Sequence, residues 1–504
     1  MDQNATPLMD ALYEYANENN GYFCIPGHRF DRGMDGKLEA MYGKGLFRYD
    51  LTETDGLDNL MHANGCILES MQLAADLYGS DRTWFLVNGT TSGNEAMIMA
   101  TVGPGDKILV PRNAHKSVAM GLILSGATPV WMMPEYIDTF GICGSVTPAV
   151  VETCLEDDPE IKAVFITSPT YHGVCSDIQS IATICHAHNV PLLVDEAHGC
   201  HMHFSDRLPM DAITAGADLV SQSTHKTGGS MTQSSMLHLK SDLVDAEAVD
   251  RSMKLVTSTS PSYVLMASLE AARHRLALHG SEMMDEAIRL AELAETLLEE
   301  VDGIEIMTPA SSLCFDHDRT RLVFSAIKAG FKGYELQEKL WGDHRISLEM
   351  ADEMTLVCVI TADNTEEEIR NLCSAVGKIV EGRKGAGTGV GGSVDSSVNS
   401  YKSQPCSGLF TVSSLTSTST LTPTPALTPR EAWYADTEFL PLDECVGRIS
   451  AEIATPYPPG IPLVSPGEIM TEEVIAGLKN CIKTGRHLDG PAHSELKLFK
   501  VIAD

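Results

Sequence analysis

The chain reads as an α/β protein built on a mostly parallel sheet with helices on both faces, followed by a smaller α+β unit and a separate C-terminal unit. Three observations predict this. Between Arg82 and Thr224, short apolar runs alternate with helix-length stretches; parallel strands need such crossovers, which are usually helices. The runs are nearly continuous in apolar residues, as strands covered on both faces must be. The length of 504 residues corresponds to about three domains at roughly 150 residues each.

In chain order, the predicted strands are Thr83–Val87, Lys107–Val110, Pro129–Met133, Ala163–Thr167, Pro191–Val194 and Asp218–Ser221. Helical stretches between them cover Gly93–Ala100, Ser117–Leu124, Pro148–Leu155 and Ile178–His188. A long helical region follows Tyr263. Within Met283–Val301, residues Met284, Ile288, Ala291, Leu297 and Val301 recur at helical spacing with acids between them, the pattern of an apolar stripe under a solvated face. Strands Arg321–Phe324 and Leu356–Ile360 flank a helix over Gly333–Leu340 and form the smaller unit. The expected division is an N-terminal segment (1–45), a large domain (46–304), a small α+β domain (305–381), a linker (382–425) rich in Gly, Ser, Thr and Pro, and a C-terminal domain (426–504). Gly387, Gly389 and Gly392 spell G-x-G-x-x-G inside that linker. The motif binds dinucleotides only between a strand and a helix, so here it is noise.

Composition excludes several function classes. With 43% hydrophobic and 21% charged residues the chain is an ordinary globular one. The balance of 36 basic against 69 acidic residues gives −33, which argues against nucleic acid or an anionic membrane as partner, because phosphates are bound by clustered Lys and Arg. The longest charge-free stretch, Val118–Pro134, is broken by Gly121, Ser125, Gly126 and Pro129 and falls short of the ~18 apolar residues of a membrane span. Thirteen cysteines without a C-x-x-C pair point to reduced thiols in a cytosol-like compartment. Met1-Asp2-Gln3-Asn4 carries no basic or apolar signal region; a removed plastid-type targeting segment stays open.

Ligands of open α/β sheets bind beyond the carboxyl ends of the strands, and five predicted strand ends carry reactive or polar groups. They are Asn88–Asn94, a Gly and hydroxyl loop opening a helix; Arg112–Lys116 with His115; Ser168–Tyr171; Asp195-Glu196-Ala197-His198; and Gln222–Gly229 with Lys226. The first suits a phosphate, through backbone N–H groups at a helix N-terminus. A strand-end Asp195 needs a cation or donors. Lys226, among small and hydroxyl residues, suits a covalent amine. Phosphate loop, aromatic His115, Asp195 and Lys226 together are the anchor, ring contact, pyridinium partner and covalent handle of a pyridoxal phosphate site. His198, Cys200, His201 and His203 imitate a metal cluster, but alternate side chains on a strand face opposite ways and do not converge, so no metal is expected.

Ser223-Thr224-His225-Lys226 resembles the attachment sequence of the ornithine/lysine/arginine decarboxylases, a family of fold type I (aspartate aminotransferase-like) pyridoxal-phosphate enzymes. Pro26-Gly27-His28, Asn88–Asn94, Arg112–Ser117, Asp195–Gly199, Thr259–Tyr263, Pro429-Arg430-Glu431-Ala432, Tyr457–Pro462 and Pro466-Gly467-Glu468 are similar to that family's motifs as well. The resemblance implies that Thr90, Thr91, Ser92, Ser223 and His225 hold the cofactor phosphate. His115 stacks on its ring, Ala197 packs on the opposite face, Asp195 holds the ring nitrogen protonated, and Lys226 carries the cofactor covalently. His198, where some members have Trp, belongs to the cofactor environment. It also implies that Ser258 reaches a phosphate in a neighbouring subunit, so that a homodimer is the smallest complete unit.

The implied activity is decarboxylation of a basic amino acid in polyamine biosynthesis, arginine before lysine or ornithine, because length and the Asp-Glu-Ala-His-Gly motif look like the shorter biosynthetic members. Glu468 is the candidate partner for the substrate's cationic end. Two other readings stay open. One is an aminotransferase or aldolase of the same fold, holding the substrate α-carboxylate with Arg319 or Arg321. The other is a catalytically silent regulatory relative.

Overall fold

The computed structural model describes the chain except for residues 19–20, 31, 309–313, 387–424, 458–459, 484–486, 494 and 504. Gly387, Gly389 and Gly392, and most of the expected linker, lie outside the described residues.

The central sheet has seven strands: β1 (Arg82–Leu86), β2 (Lys107–Pro111), β3 (Thr128–Met132), β4 (Ile161–Thr167), β5 (Leu192–Asp195), β6 (Leu219–Gln222) and β7 (Ser235–Leu239). Their spatial order is β1-β7-β6-β5-β4-β2-β3. The contacts among β6, β5, β4, β2 and β3 are parallel, and β7 is antiparallel to both β6 and β1. Six strands match the sequence expectation to within a residue or two. The seventh, β7, is missed by sequence reasoning because Ser234, Ser235 and His238 interrupt its apolar character. The fold satisfies them internally: buried His238 hydrogen-bonds Thr83 Oγ1 (2.8 Å) and Gln222 Oε1 (3.1 Å), and burial lowers its pKa to about 3.

Two apolar layers sandwich the sheet. One joins Leu86, Ile98, Val118, Leu122 and Phe165; the other joins Leu109, Val151, Ile166, Ile181 and Val194. Gly93 lets the Gly89–Thr101 helix sit directly on the sheet, since a Cβ there would lie 2.2 Å from Ser221 Oγ and 2.8 Å from Leu86 Cδ1. One helix, Tyr263–Glu299, spans 37 residues and connects the large and small units. Its first half packs on the N-terminal cluster with Leu8, Leu12 and Tyr78, and Glu270 accepts from the N–H groups of Leu8 and Met9, closing the open start of the Pro7–Asn17 helix. Its second half, through Leu290, Ala291, Ala294 and Leu298, packs on the small sheet. That sheet comprises β8 (Glu305–Ile306), β9 (Arg321–Ser325), β10 (Met350–Ala351) and β11 (Leu356–Val359), ordered β8-β9-β11-β10. The following helix runs Glu366–Ala386, past the position where composition shifts. Its last buried residue among those described is Val380.

The C-terminal unit has its own small core around Leu463, Leu478 and Phe499. It is clamped to the large unit by polar contacts. Both oxygens of Glu468 meet the Arg112 guanidinium, Lys116 pairs with Asp489, and Arg430 donates to the carbonyls of Ile123 and Leu124 at a helix C-terminus. No helix among the described residues is long and apolar enough to cross a membrane.

Candidate active site

The carboxyl ends of β2, β4, β5 and β6 open with the loop after β1 onto one cavity of about 430 Å³. The Gly89–Thr101 helix starts at this cavity with Asn88, which makes no side-chain cap, so its first N–H groups remain available for an anion. Gly89, at φ +74°, takes the left-handed turn that brings them there. Thr90 and Thr91 line the cavity, and Thr90 Oγ1 hydrogen-bonds Ser223 and Ser235 (3.1 Å). Ser92 does not line it; its hydroxyl turns back onto Gly89 O (2.8 Å). His225 also lines the cavity, its Nδ1 donating to Ser234 O (2.8 Å).

Asp195 ends β5 and is only 3% exposed. Its Oδ2 accepts from the Asn94 amide (2.8 Å) and its Oδ1 from Ala197 N–H (3.1 Å), yet among the described residues no cation lies within ion-pairing distance of it. His115 caps the Lys116–Ser125 helix, its Nδ1 accepting from Ser117 N (3.2 Å), and burial lowers its pKa. Four buried atoms of cavity residues, Asn94 Oδ1, Asn113 Oδ1, Thr167 Oγ1 and His172 Nε2, make no hydrogen bond among the described residues.

Lys226 lies on the short Thr224–Thr227 helix after β6. Its Nζ is 2.8 Å from His198 Nε2 and 5.7 Å from the Tyr171 ring centre. Burial is the largest influence on its amine, opposed by the Asp195 charge and reinforced by Arg321, and brings the pKa down to about 8. His198 is buried, its ring tilted 56° to that of Tyr171 with centroids 4.5 Å apart, and its Nδ1 is 2.7 Å from Arg321 Nη2. Its pKa falls well below the usual value, through burial first and then the Lys226 and Arg321 charges.

The structure places four more sequence-selected residues away from the cavity lining. Glu468 does not line the cavity: both its carboxylate oxygens are bound to Arg112, and it also accepts from Ser465 N–H (2.8 Å), so it docks the C-terminal unit. Arg321 is 1% exposed and stands behind His198, while Arg319 reaches out to Glu292 (3.2 Å); neither lines the cavity. Ser258 is exposed, its Oγ accepting from Ser260 N–H (3.1 Å). The apparent metal cluster diverges: His198 faces Lys226, Cys200 and His201 meet Thr227, and His203 meets Asp211.

Sequence reasoning missed the far wall. Asp352 and Glu353, in the turn between β10 and β11, line the cavity together with Ile461 and Asn480 of the C-terminal unit. Asp352 is held by the N–H groups of Met354 and Thr355 (both 2.7 Å) and lies 3.5 Å from His172; these contacts outweigh burial and lower its pKa. Nothing in the local sequence marks these acids, because small-domain packing alone brings them to the cavity. Asn94 and Tyr171 were visible only as members of strand-end segments.

A mostly parallel seven-stranded sheet in this order is the fold of the fold type I pyridoxal-phosphate enzymes, and a lysine, a strand-end aspartate and an open helix N-terminus meet at one cavity on its carboxyl edge. The structure is similar to lysine decarboxylase A from Pseudomonas aeruginosa (TM-score 0.82, 21% identity, 99% of this chain and 81% of that one) and to the Francisella novicida lysine decarboxylase (TM-score 0.81, 22% identity, 99% and 81%). In sequence, the family described as Orn/Lys/Arg decarboxylase matches with its major domain over residues 6–362 and its C-terminal domain over residues 412–494. Arginine decarboxylases of Halalkalibacterium halodurans and Bacillus subtilis are each 36% identical across 100% of this chain, covering 98% and 99% of their own lengths. The chain belongs to the Orn/Lys/Arg decarboxylase family, whose enzymes remove the carboxylate of a basic amino acid.

Proposed function

We propose that this protein decarboxylates arginine to agmatine and CO2, with pyridoxal phosphate held at Lys226. The observation that carries the reading is the meeting of Lys226, Asp195, the open helix start at Gly89 and the acidic wall of Asp352 and Glu353 in one cavity. The residues fit the cofactor. A buried carboxylate with donors but no cation calls for a cationic N–H, which a protonated pyridine nitrogen provides; the unbonded Thr167 Oγ1 and Asn113 Oδ1 await partners in the same space. Pyridoxal phosphate, when bound, supplies the electron sink for the pair left behind by departing CO2.

The chain's own residues do the remainder. Asn94 and Ala197 N–H aim the Asp195 carboxylate. The N–H groups of the Gly89 turn, with Thr90, Thr91, Ser223 and His225, hold a phosphate. His115 and Ala197 bound the slot for a flat ring. The lowered pKa of Lys226 keeps a useful fraction of its amine uncharged near neutral pH. Neither Arg319 nor Arg321 is open to the cavity to grip an α-carboxylate, which favours decarboxylation over transamination: a weakly solvated carboxylate is lost more readily. At the far wall, Asp352 faces the guanidinium in place of Glu468, beside Glu353, whose carboxylate is paired with Lys332 (2.7 Å), and cavity length selects among the basic amino acids, one methylene being worth ~1–3 kcal/mol.

The names of the two 36% identical relatives support arginine. Exposed apolar side chains at Phe23 (91% exposed) and Leu255 (77% exposed), the latter close to Ser258, support a homodimer in which Ser258 reaches the partner's phosphate site. The test is a competition assay offering arginine, lysine and ornithine with pyridoxal phosphate and identifying the amine. Agmatine as main product is expected. Cadaverine or putrescine as main product overturns the substrate, and transamination without CO2 overturns the reaction.

A further inference from the structure

We propose that Arg321 is a positioning residue for the reaction: its guanidinium fixes the tautomer of His198, and His198 in turn holds the Lys226 amine as a hydrogen-bond acceptor. The inference rests on the reading of Lys226 as the reactive lysine, and it follows from counting protons along three buried side chains. A guanidinium carries only donors. Arg321 Nη2, 2.7 Å from His198 Nδ1, therefore donates, and Nδ1 is the unprotonated nitrogen. A neutral imidazole then carries its one proton on Nε2. That nitrogen is 2.8 Å from Lys226 Nζ, so the proton points at the amine, which accepts with its lone pair and is uncharged. The alternative, an imidazolium protonated on both nitrogens, would present N–H to N–H at Arg321 and set a cation between two others.

The surroundings enforce this order. The largest charge influences on His198 come from Lys226, Arg321, His115 and His201, all neutral or positive; Asp195 and Asp352 line the same cavity and Asp318 lies behind Arg321, but among the described residues no carboxylate pairs with the His198 ring. Around Lys226 stand Asp195, Arg321, Glu349 and Cys200. The Tyr171 ring closes the side of both His198 and Lys226, and its hydroxyl donates to Glu349 (2.7 Å). Arg321 itself is held in place from the small sheet. It begins β9, with Asp318 Oδ2 4.0 Å from its Nε, and Asp318 is in turn bound by His201 (3.2 Å) and Thr320 (2.7 Å). The His198 proton state is therefore set by a residue of the small domain, and the ready form of the lysine depends on the two domains being packed together. In turnover, the same contact gives Lys226 a place to rest uncharged whenever the substrate amine displaces it.

The test uses full-length protein freed of cofactor and needs no activity. An acylating amine reagent is applied across pH 6–10, and its yield at Lys226 is read by peptide mass spectrometry. The wild type should label with a midpoint near 8. In Arg321→Met, His198 is free to protonate Nδ1 and accept from a charged lysine, so the midpoint should rise by at least about one pH unit, a roughly tenfold lower labelling rate at pH 7.5. Arg321→Lys, which keeps a donor and a charge, should stay close to wild type. Because loss of the guanidinium charge also raises the midpoint, and because replacing a buried arginine perturbs folding, the deciding measurement is on the ring itself. Nitrogen-15 spectra of histidine-labelled protein, with His198 assigned by its absence in His198→Asn, should show protonated Nε2 and bare Nδ1 in the wild type above about pH 8, where the Lys226 amine is uncharged. An Nδ1–H ring in the wild type, or an unchanged midpoint in Arg321→Met, overturns the proposal and leaves the decarboxylase reading intact. Failure of Lys226 to capture pyridoxal phosphate with an unaltered ring would overturn that reading instead.

Discussion

Replacing Glu468 by Gln separates docking from substrate binding. The Arg112–Glu468 pair is 13% exposed on either side and carries two guanidinium hydrogen bonds plus the Ser465 N–H. The amide keeps the shape and one acceptor oxygen, but turns an NH2 group toward Arg112 or Ser465 and removes the charge. Hydrogen bonds to charged groups are worth about 1.5–3 kcal/mol each, and stripping one member of a buried pair leaves the other poorly compensated. A loss of about 2–3 kcal/mol in the docking of the C-terminal unit corresponds to about a 30- to 150-fold larger undocked population. Hydrogen exchange at the backbone amides of residues 463–470 and of the loop after β2 should accelerate by that order, whereas the KM for arginine at saturating cofactor should change less than threefold in the docked fraction. A KM raised tenfold or more with unaltered exchange would refute the reasoning and return Glu468 to the substrate.

Asp352→Asn removes a cavity anion without changing its volume, and should raise the KM for arginine by about 10-fold or more, consistent with ~1.5–3 kcal/mol for a charge-assisted bond; steady-state kinetics on the folded fraction check it, with some loss of melting temperature expected because the carboxylate also holds Thr355 and His172. Gly93→Ala places a Cβ against Ser221 and Leu86 and should cost about 1–3 kcal/mol as overpacking while weakening pyridoxal phosphate binding, because the displaced helix carries the phosphate-facing turn; calorimetry and cofactor titration measure the two effects. For Lys226, the folded pKa of about 8 lies below its ordinary 10.5, so the unfolded chain binds more protons between these values and stability rises with pH there, the penalty being complete below about pH 8. Cofactor-free Lys226→Met should accordingly be more stable than wild type at pH 7, with the gap in denaturation midpoint closing toward pH 10; a pH-independent gap would contradict the assignment.

The sequence by itself determined the large sheet and the groups that its strand ends bring to one cavity. Continuous apolar runs identify strands because both faces are covered, and ligand-facing groups then fall where those strands end, which is why Asp195, His115, Thr90 and Lys226 were readable at their positions. Strand β7 was not, because its polar residues are satisfied by partners on β1 and β6 that no local pattern reveals. Tertiary structure alone decided the rest. Glu468 looked like a loop acid available to a substrate, yet Arg112, 356 residues away in the chain, consumes its charge. Arg321 looked like a carboxylate clamp, yet the docking of β9 turns it onto His198. Asp352 and Glu353 reached the cavity from a turn with no motif. Local sequence encodes which groups a strand end presents, but the partner of a buried charge is set by whichever distant element packs against it.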